Sequence, residues 1–204
     1  MNEQEVKKIL KNELKFSEND ICNLEIFIKL LLEYNSRYNL ISKSTEKIIW
    51  SRHILDSAQL LKHINVNLGS TLADFGTGAG FPGIILAIFN KNTKFHVKLF
   101  EKSSVKRDFL NTVIKKIKLD AEVLENVYDM ESDVDIVVSR AFKKLEQIVK
   151  ISREILKKPH KIVILKGKNA QTEINNVSLP TNYSYKLEKS ITSDDSKIII
   201  IEVK

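Results

Sequence analysis

One cysteine in 204 residues, Cys22, leaves no partner for an internal disulfide and too few thiolates for a cysteine-based zinc site within the chain. The four histidines, His53, His63, His96 and His160, are scattered without metal-ligand spacing, so no metal is expected. Long hydrophobic runs are missing too. The longest, Phe81 to Phe89, is interrupted by Pro82 and falls far short of the roughly 20 apolar residues of a spanning helix. The opening residues, MNEQEVKKILKNEL, mix acids and bases with no apolar signal region. The expectation is a cytoplasmic protein without membrane attachment. A hydrophobic content of 43% beside 29% charged residues excludes wholesale disorder. The formal charge of +7 favours a polyanionic partner such as nucleic acid, although a generally lysine-rich composition would produce it as well.

Two kinds of periodicity divide the chain. In the first 65 residues Val6, Ile9, Leu10 and Leu14 follow three-and-four spacing. A second amphipathic run with Ile21, Leu24, Ile28 and Leu31 starts after Ser17, which forms a capping-box pattern with Asp20. Cys22 is expected beside them in the core. A third helix is expected from Thr45 to His63, before the breaker NVNLGS at 65–70. Beyond it, short β-rich runs alternate with helical ones, the pattern of a parallel α/β sheet. Strands are expected at 71–75, 95–100, 121–124, 135–139 and 162–166. The clearest helix is 104–117, with Val105, Phe109, Val113 and Ile117 on one face. YSYKLE and KIIIIEV around KSITSDDS predict an antiparallel hairpin at the C-terminal end. The division is therefore a helical cap over 1–65 and an α/β domain over 66–204.

Glycine is as scarce as cysteine is rare, with six in the chain, yet four fall between Gly76 and Gly83 in LADFGTGAGFPG. A strand, a glycine-rich turn and a helix bring backbone close to a ligand and aim free N–H groups at it; a tight turn with surface acids is the plain alternative. No Gly-Lys-Ser/Thr follows, which excludes a phosphate-binding loop of that type. Gly78-x-Gly80-x-x-Gly83 satisfies a dinucleotide fingerprint with Glu101 about 20 residues on. The strand, however, ends at Phe75, and from Gly76 that register puts Phe81 at the third glycine. Asp74-x-Gly76-x-Gly78-x-Gly80, with Glu101 closing the next strand, instead resembles the S-adenosylmethionine site of class I methyltransferases. The resemblance implies a Rossmann-like, mostly parallel sheet. It also implies that Gly76, Thr77, Gly78, Gly80 and Phe81 lie along the methionine part, that Asp74 sits near its ammonium, and that Glu101 accepts the ribose hydroxyls.

Several methyl acceptors are disfavoured. A cytosine-5 enzyme needs a cysteine nucleophile, and Cys22 lies in a helix outside the sheet. The position after the fourth strand reads VVSRAF, without the Asn/Asp-Pro-Pro-Tyr turn of amino-methylating enzymes. No general base stands out there, and nitrogen-7 of guanine needs none, because its lone pair is exposed and it has no proton to lose. Arg140 can offer a donor to the neighbouring carbonyl oxygen.

YNLIS (38–42), RHILDS (52–57), DFGTGAGFPG (74–83), KR-x-FL (106–110), SRAF (139–142) and LKG (165–167), in order along nearly the whole chain, resemble the RsmG/GidB family of bacterial small-subunit ribosomal RNA guanine-N7 methyltransferases. The resemblance implies transfer from S-adenosylmethionine to one guanine of the decoding-region loop. The substrate would be small-subunit ribosomal RNA or the 30S subunit, met by a monomer. It brings Asn39 and His53 to the active-site side. For His53, which shares a helix face with Asp56, a purely structural tie between cap and sheet is the alternative. Arg140, bordering both cofactor and acceptor, and Lys166, ending the fifth strand, join His53 as candidate catalytic residues, with a surface strand-end lysine as the alternative at 166. Lys106 and Arg107 oppose the dipole of the helix they open, so phosphate contact or a solvated face are their two readings. Two positions depart from the family. Asn126-Val127, bordering the adenine, stands where many relatives have Arg-Val. Lys197 replaces an arginine and loses its bidentate fork toward RNA. The rivals are a non-catalytic RNA- or ribosome-binding protein, for which the intact loop and both acids have no use, and a nicotinamide dehydrogenase, for which no proton donor is visible.

Overall fold

The computed structural model describes residues 1–64, 69–89, 95–130 and 133–204; most of the expected breaker and the expected domain boundary fall outside them. Helix α1 (Glu3–Asn12) starts at Asn2 and α2 (Glu18–Tyr38) at Ser17. In each, the cap side chain accepts an amide hydrogen bond from the third helical residue, whose carboxylate in turn accepts from the cap amide. The sequence predicts the second of these boxes. Asn39 ends α2 in left-handed backbone at φ 49°, which asparagine tolerates better than most residues. Ile21, Leu24, Phe27, Ile28 and Leu31 form the buried face. Cys22 is exposed, contrary to expectation, because one residue further along turns the side chain about 100° around the axis.

The expected third helix over 45–63 is not continuous. It resolves into α3 (Lys43–Glu46), one π-helical stretch (Trp50–Leu55), α4 (Asp56–Ala58) and a 3-10 turn (Gln59–His63). Helix propensity is a weak prior. Here it yields to tertiary contacts: His53, Asp56 and Gln59 are buried polar residues, each hydrogen-bonded to residues outside this segment.

The remaining chain builds a sheet of β1 (Ser70–Phe75), β2 (Phe95–Phe100), β3 (Ala121–Leu124), β4 (Ile136–Arg140), β5 (His160–Lys166), β6 (Tyr183–Lys189) and β7 (Lys197–Val203). The spatial order is β3-β2-β1-β4-β5-β7-β6. The first five strands pair in parallel, while β7 runs antiparallel between β5 and β6. Helices α5 (Gly83–Ile88), α6 (Ser104–Ile117), α7 (Leu145–Ile155) and α8 (Ala170–Asn175) cover the faces. Alternation along the strands sorts the core in two. Leu72, Val97, Leu99, Val138, Val163, Ile198 and Ile200 pack with α5, α6 and the N-terminal helices. Ala73, Phe75, Val137, Ile164, Ile199 and Ile201 pack with α7 and α8. Each of these side chains except Ala73 contributes about 1.5–3 kcal/mol on burial. Val105, expected on the buried face of α6, is 37% exposed, whereas Phe109 and Val113 are fully buried; it lies in the first turn of the helix. Strand order reverses between β1 and β4, so the crevice beyond their carboxyl ends is where such a sheet receives a ligand. Among the described residues no helix is long and apolar enough to cross a membrane.

Candidate active site

A cleft of about 720 Å³ opens there, within the range of small-molecule sites. One wall is the loop after β1. Gly76 and Gly78 both hold left-handed backbone, φ 71° and 60°, for different reasons. A Cβ on Gly76 would stand 2.7 Å from Phe142 Cγ, so this glycine makes room for the aromatic that follows β4. A Cβ on Gly78 would meet nothing within 4 Å. Of the two, Gly78 faces open cleft. Thr77, Ala79 and Phe81 also line it, whereas Gly80 is turned inward against Ile84 and Leu110.

Asp74 is expected against a ligand's ammonium; the structure encloses it instead. It is fully buried, does not line the cleft, and its Oδ2 accepts from the Gly83 amide at 2.7 Å, closing the loop onto α5. Burial pushes its pKa from 3.8 to about 7, against the opposing pull of Thr77, the Gly83 amide and Arg140. Asp74 Oδ1 and Thr77 Oγ1 are buried with no hydrogen-bond partner of standard geometry. Orphaned polar atoms of this kind call for an explanation. The open space at Gly78, bordered by Thr77, fits a ligand that brings donors, as an ammonium group does, while Asp74 stays behind the loop. Glu101 lines the cleft at the end of β2, its Oε1 receiving the Ser103 amide at 2.9 Å. A carboxylate there suits a pair of hydroxyl donors.

The opposite wall comes from residues between Leu40 and Asp56. The His53 ring lies over Phe81, with centroids 4.8 Å apart and planes at 24°. Arg140, at the end of β4, lies over the same phenyl ring at 4.9 Å. Arg140 Nη2 donates to His53 Nδ1 at 2.8 Å, and Nη1 donates to the Arg52 carbonyl at 3.1 Å and to Asp56 Oδ2 at 3.4 Å. His53 Nε2 is 2.9 Å from Thr45 Oγ1, which donates to the Ser42 carbonyl. Burial first, then the charges of Arg140 and Arg52, lower the His53 pKa from 6.5 to about 3, so the imidazole is neutral. With both nitrogens engaged it is placed neither as acid nor as base. Arg140 stays charged although burial lowers its pKa, since Asp56 opposes that shift. Asp56 is itself fixed to the β6–β7 connection, where Thr192 Oγ1 donates to it at 2.6 Å and Gln59 Nε2 reaches Ser190 Oγ at 3.0 Å.

The remaining candidates divide. Asn126, Val127 and Lys106 line the cleft. The Asn126 side chain accepts the Tyr128 amide and caps a 3-10 turn over Val127–Asp129, a local role that an arginine would not fill. Arg107 is turned away: Nη1 donates to the carbonyls of Glu101 and Lys102, and Nη2 pairs with Glu125. Lys166 lines the cleft, but its Nζ is held by Glu173 at 2.9 Å and the Lys143 carbonyl at 2.6 Å. Burial pushes the Glu173 carboxyl up, and Lys166 with the Leu145 amide outweighs it, leaving its pKa below the usual value. Asn39 is the exposed C-cap of α2 and Lys197 faces Lys166 in register across β5 and β7; neither lines the cleft. Sequence reasoning passes over Thr45, Phe142 and the 57%-exposed Tyr128, all of which line the cleft. Phe142 had a signal, standing two residues after Arg140 in SRAF. Thr45 and Tyr128 had none.

The GidB family, described as rRNA small subunit methyltransferase G, matches residues 20–198. A ribosomal RNA small subunit methyltransferase G from Pelagibacter ubique is 34% identical over 200 residues, 95% of this chain and 93% of its own. One from Orientia tsutsugamushi is 38% identical over 179 residues, 87% of each chain. Among solved structures, an S-adenosylmethionine-dependent methyltransferase from Aquifex aeolicus superposes with a TM-score of 0.59 at 14% identity, over 85% of this chain and 98% of its own.

Proposed function

The chain belongs to the rRNA small subunit methyltransferase G family, and from that premise we propose that it transfers the methyl group of S-adenosylmethionine to nitrogen-7 of one guanine in the decoding-region loop of small-subunit ribosomal RNA. When bound, S-adenosylmethionine supplies a sulfonium methyl: nitrogen-7's lone pair forms the new C–N bond and the C–S pair stays on sulfur. Gly78 and Thr77 bound the methionine part, Glu101 takes the ribose hydroxyls, and Val127 with the Asn126 backbone borders the adenine. Lys106 contacts RNA phosphate. Residues 1–65 act as a cap over the methyltransferase unit 66–204, and the enzyme works as a cytoplasmic monomer.

The observation that carries the reading is the state of Arg140. Guanidinium has five N–H donors, of which three go to Arg52, Asp56 and His53, leaving Nε–H and one Nη2 hydrogen without a partner among the described residues. A cleft that holds a fixed donor pair and a neutral, fully engaged histidine suits an acceptor atom with no proton to remove and a carbonyl oxygen beside it, as in guanine. The test is methyl transfer from labelled S-adenosylmethionine to small subunits from a strain lacking the enzyme, with naked RNA in parallel and the product identified by nucleoside mass spectrometry. 7-Methylguanosine is expected; another methylated nucleoside would replace the acceptor assignment.

A further inference from the structure

We propose that His53 is a positioning residue: by accepting one hydrogen of Arg140 it determines which two hydrogens of that guanidinium face the acceptor base. The proposal rests on the acceptor-side reading of Arg140. A planar guanidinium must be fixed both in its plane and in its rotation within that plane. Phe81 beneath it, at 4.9 Å, sets the plane. The two bonds from Nη1, to the Arg52 carbonyl and, at 3.4 Å, to Asp56, both gather at one arm. The 2.8 Å bond from Nη2 to His53 Nδ1 holds the other arm.

The imidazole is suited to that task because its own freedom is gone. An arginine donates and never accepts, so Nδ1 carries the lone pair and Nε2 the proton. The Nε2–H then goes to Thr45 Oγ1, whose hydroxyl donates onward to the Ser42 carbonyl at 2.8 Å. Stacking on Phe81 fixes the ring plane. The single lone pair is spent on Arg140 and the single N–H on Thr45, which leaves position as the contribution His53 makes to transfer.

Three variants test this. In His53→Asn the side-chain oxygen stands close to where Nδ1 stands; His53→Gln reaches the Nε2 place instead; His53→Ala supplies neither. At saturating cofactor, His53→Ala and His53→Gln are expected to lower kcat by about 10- to 100-fold, the scale of a small misplacement. S-Adenosylmethionine Kd should differ by less than about twofold between the Asn and Gln variants, since both lose the ring that stacks on Phe81 of the loop, and His53→Asn should recover most of kcat. Rotation of the Arg140 guanidinium about Cζ–Nε, followed by NMR, should be slow in the wild type and His53→Asn and fast in His53→Gln. Wild-type kcat in His53→Gln, an Asn variant no better than Gln, or equally slow rotation in all would overturn the proposal. If His53→Ala does not fold, the Asn and Gln pair decides. If the wild type binds cofactor yet methylates no RNA, the functional reading fails, and the rotation measurement still settles whether His53 positions Arg140.

Discussion

Alanine at Gly76 and at Gly78 is expected to separate folding from cofactor binding within one loop. Both positions hold left-handed backbone, which costs a residue with a Cβ about 1–2 kcal/mol. At Gly76 the new Cβ also stands 2.7 Å from Phe142 Cγ, and such overpacking adds about 1–3 kcal/mol. Gly76→Ala should therefore lose about 2–5 kcal/mol of stability in total. At Gly78 no atom lies within 4 Å of the added Cβ, so the backbone cost stands alone, about 1–2 kcal/mol. On the proposed reading the methyl instead takes space assigned to the methionine part of the cofactor. A loss of affinity of about tenfold, equivalent to about 1.4 kcal/mol, is the least expected. Gly78→Asp, which adds a negative charge, should abolish measurable binding. Urea denaturation reads the first quantity and titration calorimetry the second. Wild-type affinity for S-adenosylmethionine in Gly78→Ala, or wild-type stability in Gly76→Ala, would refute the division of roles.

Arg140→Ala should reduce kcat for RNA by about 100-fold, the scale of losing an oriented donor, with a much smaller change in cofactor Kd; equal losses in both would remove its acceptor-side role. Thr192→Val deletes the 2.6 Å bond to Asp56 and should cost about 1–3 kcal/mol, because a buried acceptor loses a donor; urea midpoints unchanged from wild type would argue against the link between the hairpin and Asp56. Stability against pH holds two opposed slopes. Asp74, raised from 3.8 to about 7, makes the folded state bind more protons between those values, so its contribution falls as pH rises through that window. His53, lowered from 6.5 to about 3, makes the unfolded state bind more protons, so its contribution rises with pH up to 6.5; His160 acts in the same direction. Asp74→Asn should therefore steepen the rise in stability between pH 4 and 6.5 measured by urea denaturation, and an unchanged profile would mean that Asp74 ionises normally.

Much of this was legible in the sequence because period-2 and period-3.6 patterns report burial directly. The parallel strands fall within two residues of expectation, α6 and the Ser17–Asp20 capping box match it, and the C-terminal hairpin forms. The segment 43–63 was not legible. Its apolar pattern is helical throughout, and its breaks depend on hydrogen bonds to Arg140, Ser190 and Thr192, far away in sequence. The same limit applies within the site. Spacing identifies the glycine loop, Glu101 and Arg140, but it does not show that Gly76 exists for Phe142, that Asp74 closes the loop from inside, or that Arg107 and Lys166 spend their charge on Glu125 and Glu173. Those are facts about partners, and a single chain read in order has no means of naming them.

The place of β7 bears on how the molecule is made. It enters the sheet between β5 and β6, and its isoleucines divide between the two faces: Ile198 and Ile200 complete one cluster, Ile199 and Ile201 the other. During vectorial synthesis α1, α2 and the first five strands leave the ribosome while both clusters lack this filling. Long-range pairing of this kind is slow and exposes apolar surface until it closes. The connection before β7 also carries Ser190 and Thr192, the partners of Gln59 and Asp56. Arrival of the hairpin thus completes the core and secures the support behind Arg140 in one event, so a nascent chain has no aligned cleft before it has a finished sheet.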